Sequence, residues 1–149
     1  MKKSVVCPAF CALVLVGIAP WAAAQSTETL GRTGKQVYQQ ICAACHADGV
    51  ASAPQPGDTK AWAPLIEEGQ DILTAHAWVG VRAMPAQGGV PDLTLEEFSK
   101  AVAWMASASG ADWKDPDAAL QHRIRHEAAQ RLEQDIRAKQ AMKKMLEQD

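Results

Sequence analysis

The chain has 149 residues, 48% of them hydrophobic and 21% charged, with a formal net charge of −2 and a sequence pI near 6.1. That balance leaves no basic surplus for a nucleic-acid interface. Composition divides the chain into three parts: residues 1–24, 25–113 and 114–149.

The first part reads as a secretory signal. Lys2 and Lys3 form its positive end, residues 5–18 an apolar run, Pro20 a break, and Ala22-Ala23-Ala24 a small-residue cleavage site before Gln25. The run is short for a membrane span, although left uncleaved it would serve as an N-terminal anchor. Cys7 and Cys11 lie inside it and leave with it.

Residues 25–113 carry ten acidic and five basic residues, a net charge of −5. A domain this small has little core for its surface and often needs a staple. Thr33 is placed to cap a first helix over residues 35–44, with Val37, Tyr38 and Ile41 on one face. Asp48-Gly49 reads as a turn and residues 53–58 as a rigid, proline-rich loop. Short helices follow over 62–68 and 71–79, ended by Gly69 and Gly80. Residues 84–91 hold two prolines and two glycines and predict irregular backbone. Thr94 and Glu97 form a capping box that opens a helix to about Ser107, with Phe98, Val102 and Met105 buried. There is no strand pattern, so the fold class is all-α.

Residues 114–149 carry seven acidic and eight basic residues, without glycine or aromatics. Leu120, Ile124, Ala128, Leu132 and Ile136 recur at i, i+4, with Met142, Met145 and Leu146 further on. This stripe drifts round a helix, and the alternating charges predict a solvated one. Its alternative role is a docking or oligomerisation arm.

The chemistry concentrates in Cys42-Ala43-Ala44-Cys45-His46. Two cysteines at this spacing followed by histidine read as a c-type haem attachment site. The thiols add to the two vinyl groups of one haem, and His46 becomes the proximal axial ligand of the iron. A zinc ribbon needs a second ligand pair, which His76, His122 and His126 do not supply at finger spacing. A thioredoxin-type site needs a preceding strand, and here a helical stretch precedes.

Met84 is the candidate for the second axial position. It sits in Ala83-Met84-Pro85, between Gly80 and Gly88-Gly89. Proline stiffens such a loop, and glycine lets backbone pass close to a flat group. Met105 has helical spacing that suits core packing. His76, on an alanine-rich helix, is the bis-histidine alternative, and a half-exposed structural role fits it better. His122 and His126 are one turn apart on the charged tail, where a solvated face is the plainer reading.

Taken together, Gly34-Lys35-Gln36-Val37-Tyr38, the Cys42–His46 motif, Gly49-Val50-Ala51, Ala53-Pro54, Gly57-Asp58, Ala61-Trp62, Met84-Pro85, Gly88-Gly89 and Ala101-Val102-Ala103-Trp104-Met105 resemble the small class I monohaem c-type cytochromes, of the cytochrome c5 type. The resemblance spans residues 30–108. It implies first and last helices that cross near Gly34, with Tyr38, Val102 and Trp104 at the contact. It implies that the Pro54 carbonyl accepts the other ring N–H of His46, and that Trp62 donates its indole N–H to a haem propionate or packs as a plain aromatic. Arg82 near the ligand loop is a further propionate candidate, or simply solvated. The class also implies attachment of haem outside the cytoplasm, in keeping with the export signal.

Three departures stand out. The loop Met84-Pro85-Ala86-Gln87-Gly88 lacks the second proline and the lysine frequent in related loops. The additional cysteine pair common in the group is missing, and the tail from Asp115 has no counterpart.

The function these features imply is that of a periplasmic single-electron carrier, not an enzyme, with one covalent haem c held by His46 and Met84. Its expected partners are respiratory redox proteins with basic docking patches, and it would reach the membrane only through them or an uncleaved signal. The alternative is a haem subunit tied by its helical tail to an oxidoreductase complex. A haem sensor or catalytic haem with a displaced ligand is a third reading.

Overall fold

A computed structural model describes residues 31–148. The signal segment, its cleavage site, Cys7 and Cys11 lie outside the described residues. The described part holds six α-helices and no strand: α1 (Gly34–Val37), α2 (Ala43–His46), α3 (Thr59–Glu67), α4 (Gln70–Val79), α5 (Leu95–Ala108) and α6 (Ala118–Leu146). A π-helical turn, Tyr38–Cys42, joins α1 to α2 in one continuous helical run. The chain is all-α, as the sequence predicts.

Local chemistry explains the helix starts. Thr33 caps α1 in a reciprocal box: its hydroxyl accepts from the Gln36 N–H, and Gln36 Oε1 accepts from the Thr33 N–H at 2.8 Å. Asp58 caps α3, three residues earlier than the sequence pattern suggests, by accepting from the Ala61 N–H at 3.0 Å. Thr94 caps α5 by accepting from the Glu97 N–H at 3.2 Å.

Helices α1 and α5 cross at Gly34, which is buried against α5. Tyr38 and Trp104 stack across this contact with ring centroids 4.6 Å apart and planes tilted by 33°. Behind it lies the main core, built from Val37, Trp62, Leu93, Phe98, Val102 and Met105. Met105 is 3% exposed, a core residue as its spacing predicts. A bidentate ion pair, Arg32 to Glu97 at 2.8 and 3.0 Å, ties the approach to α1 onto α5.

The long C-terminal helix differs from the solvated helix that its charge pattern predicts. Its first half packs on α4: Ile124 is fully buried and Ala128 nearly so, against Ala75, Trp78, Val79 and Leu95. Arg123 adds an ion pair to Asp71 on α4 at 3.0 Å. The second half leaves Leu132 50%, Ile136 45%, Met142 63% and Leu146 73% exposed. The apolar stripe is continuous, but α4 is only 10 residues long against 29 for α6. The stripe therefore outruns its partner. Among the described residues no helix is long and apolar enough to cross a membrane.

Candidate functional site

Cys42 closes the π-helical turn, and Cys45 and His46 lie on α2. Residues three apart on a helical run share a face, so both thiols present to one side. Both are free. Cys42 is half-buried at the edge of the main core, and burial pushes its thiol up to about 11. No group of three metal-ligating side chains occurs among the described residues.

His46 is 8% exposed, and its Nδ1 lies 2.9 Å from the Pro54 carbonyl oxygen. A carbonyl can only accept, so Nδ1 carries the proton and donates it. The Nε2 lone pair is then free to bind a metal, and the ring orientation is set by a backbone group. The loop that supplies the acceptor follows directly. It passes through Gly49, Ala51 and Ser52, all at positive φ, before Pro54. Two non-glycine residues in the left-handed region carry backbone strain, held here beside the site.

The loop around Pro54 is itself anchored. Trp62 is 3% exposed and donates its indole N–H to the Gln55 carbonyl at 2.9 Å. Of the two roles open to Trp62, this displaces donation to a propionate, because the N–H already has a backbone partner, and leaves packing in the core. The Gly57 N–H donates to Ser109 Oγ at 2.9 Å, and Ser109 Oγ donates to the Met105 carbonyl at 2.8 Å. Neither Gln55 nor Ser109 carries a sequence signal of its own; only the placement of α3 and α5 against this loop reveals them.

Met84 ends a tight turn. The Met84 N–H donates to the Val81 carbonyl at 2.9 Å, and the Val81 N–H donates to the Met84 carbonyl at 3.1 Å. The turn folds back on the end of α4. A Cβ on Gly80, at φ +100°, would lie 2.9 Å from the Ala86 nitrogen, so the close return requires glycine. Arg82 is exposed at the tip of the turn. Met84 is half-buried against the same core that Ile41 and Cys42 border. The following turn brings Gly88 beside Ile41, one residue before Cys42. The methionine loop and the cysteine-bearing helix thus flank one core.

His76 is placed elsewhere. Its Nδ1 lies 3.4 Å from Glu68 and its Nε2 3.6 Å from Glu127 of α6, so both ring nitrogens face carboxylates. The bis-histidine alternative has no support in this arrangement. His122 and His126 are exposed on α6.

The donor set fits a covalent haem c. Two free thiols share a face, an imidazole has its distal nitrogen available, and a thioether sits on a stiff loop bordering the same core.

Comparison with known proteins gives the same direction. The family described as "Cytochrome C oxidase, cbb3-type, subunit III" matches residues 29–105. Cytochrome c-555 of Chlorobaculum tepidum is 36% identical over 104 residues, covering 67% of this chain and 96% of that protein. Cytochrome c5 of Azotobacter vinelandii is 35% identical over 77 residues, covering 50% of this chain and 93% of that protein. A chain in the crystal structure of an electron transfer complex of nitrite reductase with cytochrome c is 42% identical, with a TM-score of 0.49, covering 51% of this chain and 93% of that one.

Proposed function

Because this chain belongs to the class I monohaem c-type cytochromes, with one covalent haem c, we propose that it is a periplasmic single-electron carrier between respiratory redox proteins. The observation that carries this reading is the His46–Pro54 hydrogen bond, which leaves Nε2 free on a residue directly after Cys45.

Cys42 and Cys45 would hold the group by thioether bonds, and His46 Nε2 and Met84 Sδ would bind its iron. When bound, the haem would supply one-electron oxidation and reduction. The Pro54 carbonyl fixes the tautomer and orientation of His46. The thioether of Met84 favours the reduced state over what a second imidazole would give. Ligation by both side chains would leave the iron no position for a substrate, in keeping with a carrier and not a catalyst.

The excess of five acidic residues over residues 25–113 supports docking to basic patches on partners. Such attraction raises encounter rates and is screened by salt. The apolar segment at residues 5–18 supports export to the periplasm.

The test is a redox-titrated absorption spectrum of the holoprotein. A methionine–iron charge-transfer band is expected in the oxidised form, and Met84→Ala should abolish it. Survival of the band in that variant would overturn the ligand assignment.

The exposed second half of α6 favours one further reading, a haem subunit docked to an oxidoreductase through Leu132, Ile136, Met142 and Leu146. Co-purification with a catalytic subunit, lost when the chain is cut after Gln130, would support it. A cut at Asp115 is unsuitable, because it also strips Ile124 from the core.

A further inference from the structure

We infer that Trp62 and Ser109 are positioning residues for His46, acting through the loop that carries its hydrogen-bond acceptor. The inference rests on the reading of His46 as an axial ligand. It adds that two buried side chains distant in sequence tune that ligand.

The geometry is a set of connected hydrogen bonds. Pro54 and Gln55 present successive carbonyls. The first accepts from His46 Nδ1 at 2.9 Å. The second accepts from Trp62 Nε1 at 2.9 Å and from the Asp58 N–H at 3.1 Å. Two residues further on, the Gly57 N–H is held by Ser109 Oγ, which is itself held by the Met105 carbonyl at 2.8 Å. Both clamping side chains are shielded from water, with Trp62 3% and Ser109 2% exposed.

A loop without regular structure has many conformations, and only fixed partners select one. Here the partners come from α3 and α5, while the group they position belongs to α2. The Pro54 carbonyl is otherwise free to swing with its own ψ angle. Its neighbour on the Gln55 side is pinned to α3, and Gly57 is pinned to the C-terminal end of α5. The His46 contact is thereby fixed by the helix packing and not by the loop alone.

The consequence is electronic. A hydrogen bond from Nδ1–H to a carbonyl raises the basicity of the imidazole as a ligand. A more basic ligand stabilises the oxidised metal. Loosening the clamp should lengthen the Nδ1–H···O contact, reduce electron donation, and move the reduction potential upward.

The test uses the full-length holoprotein. Trp62 is replaced by benzothienylalanine, which keeps the ring shape and loses only the N–H, and separately Ser109→Ala is made. Reduction potential and solvent exchange of the His46 ring proton are measured by voltammetry and NMR. Ile124→Ala is the control, because it destabilises the fold from a site remote from this loop. In both clamp variants the potential is expected to rise. The ring proton is expected to exchange up to about tenfold faster, the factor carried by one hydrogen bond of ordinary net strength. The control is expected to change neither. Potentials and exchange rates equal to the parent in both clamp variants would overturn the inference, with His46 ligation intact. A parent protein whose His46 ring resonances show no bond to iron would overturn the underlying reading instead, and is recognised before any variant is made.

Discussion

Gly34 of α1 lies so close to Lys100 of α5 that a Cβ at Gly34 would sit 2.1 Å from the Lys100 carbonyl oxygen. The neighbour is backbone and cannot turn aside, and Trp104 Cβ closes the other side at 3.1 Å. Gly34→Ala must therefore push the two helices apart and disturb the Tyr38–Trp104 stack. A loss of about 3 kcal/mol or more is expected, at the upper end of overpacking costs. Denaturant unfolding of the holoprotein measures it, and a variant as stable as the parent would show that the crossing is looser than described.

The ion pair between Arg32 and Glu97 makes stability depend on acid. The Arg32 guanidinium, through its hydrogen bond first and then its charge, holds the Glu97 carboxyl down at about 2, with the Thr94 hydroxyl also contributing. Glu97 releases its proton more readily in the folded chain than in the unfolded one. Its contribution is therefore complete above the ordinary carboxylate value of 4.5 and disappears as pH falls from there to about 2. Glu97→Gln should flatten the unfolding free energy across that window while leaving the rest of the profile alone. An unchanged acid limb would assign the dependence to other carboxylates.

The two halves of α6 should answer differently to truncation of their apolar side chains. Ile124 is fully buried, and Ile124→Ala is expected to cost about 2–4 kcal/mol. Leu132 is 50% exposed, and Leu132→Ala should change stability by less than about 0.5 kcal/mol. Chemical denaturation of the two variants side by side is sufficient. Equal costs would mean that the outer half of the helix is covered in solution.

The proposal that Met84 binds the iron opposite His46 predicts the sign of a potential shift. Met84→His should lower the reduction potential, because a nitrogen ligand stabilises the oxidised iron more than a thioether does. Voltammetry reads the change directly. A potential that stays where it was would place the residue outside the coordination sphere.

Much of the fold was legible from residue types alone. Thr33 and Thr94 announced their helices because capping is a local exchange of hydrogen bonds, complete within four residues. The Cys42–His46 motif announced its chemistry for a similar reason: the spacing of three side chains is set by the covalent chain. Gly34 and Pro54 were readable through the family pattern, and the structure gives each the partner that the pattern implies.

Trp62, Ser109 and α6 were not legible in this way. An indole can donate to a propionate or a carbonyl, and nothing in Ala61-Trp62 distinguishes them; the choice fell to where α3 placed the Gln55 carbonyl. The charges of α6 suggested a solvated helix, and the buried face of Ile124 and Ala128 became visible only with Ala75 of α4 opposite it. Caps and covalent spacings draw on neighbours in sequence, so the sequence by itself determines them. Burial and long-range hydrogen bonds draw on atoms brought together by helix packing, and only the tertiary structure decides those.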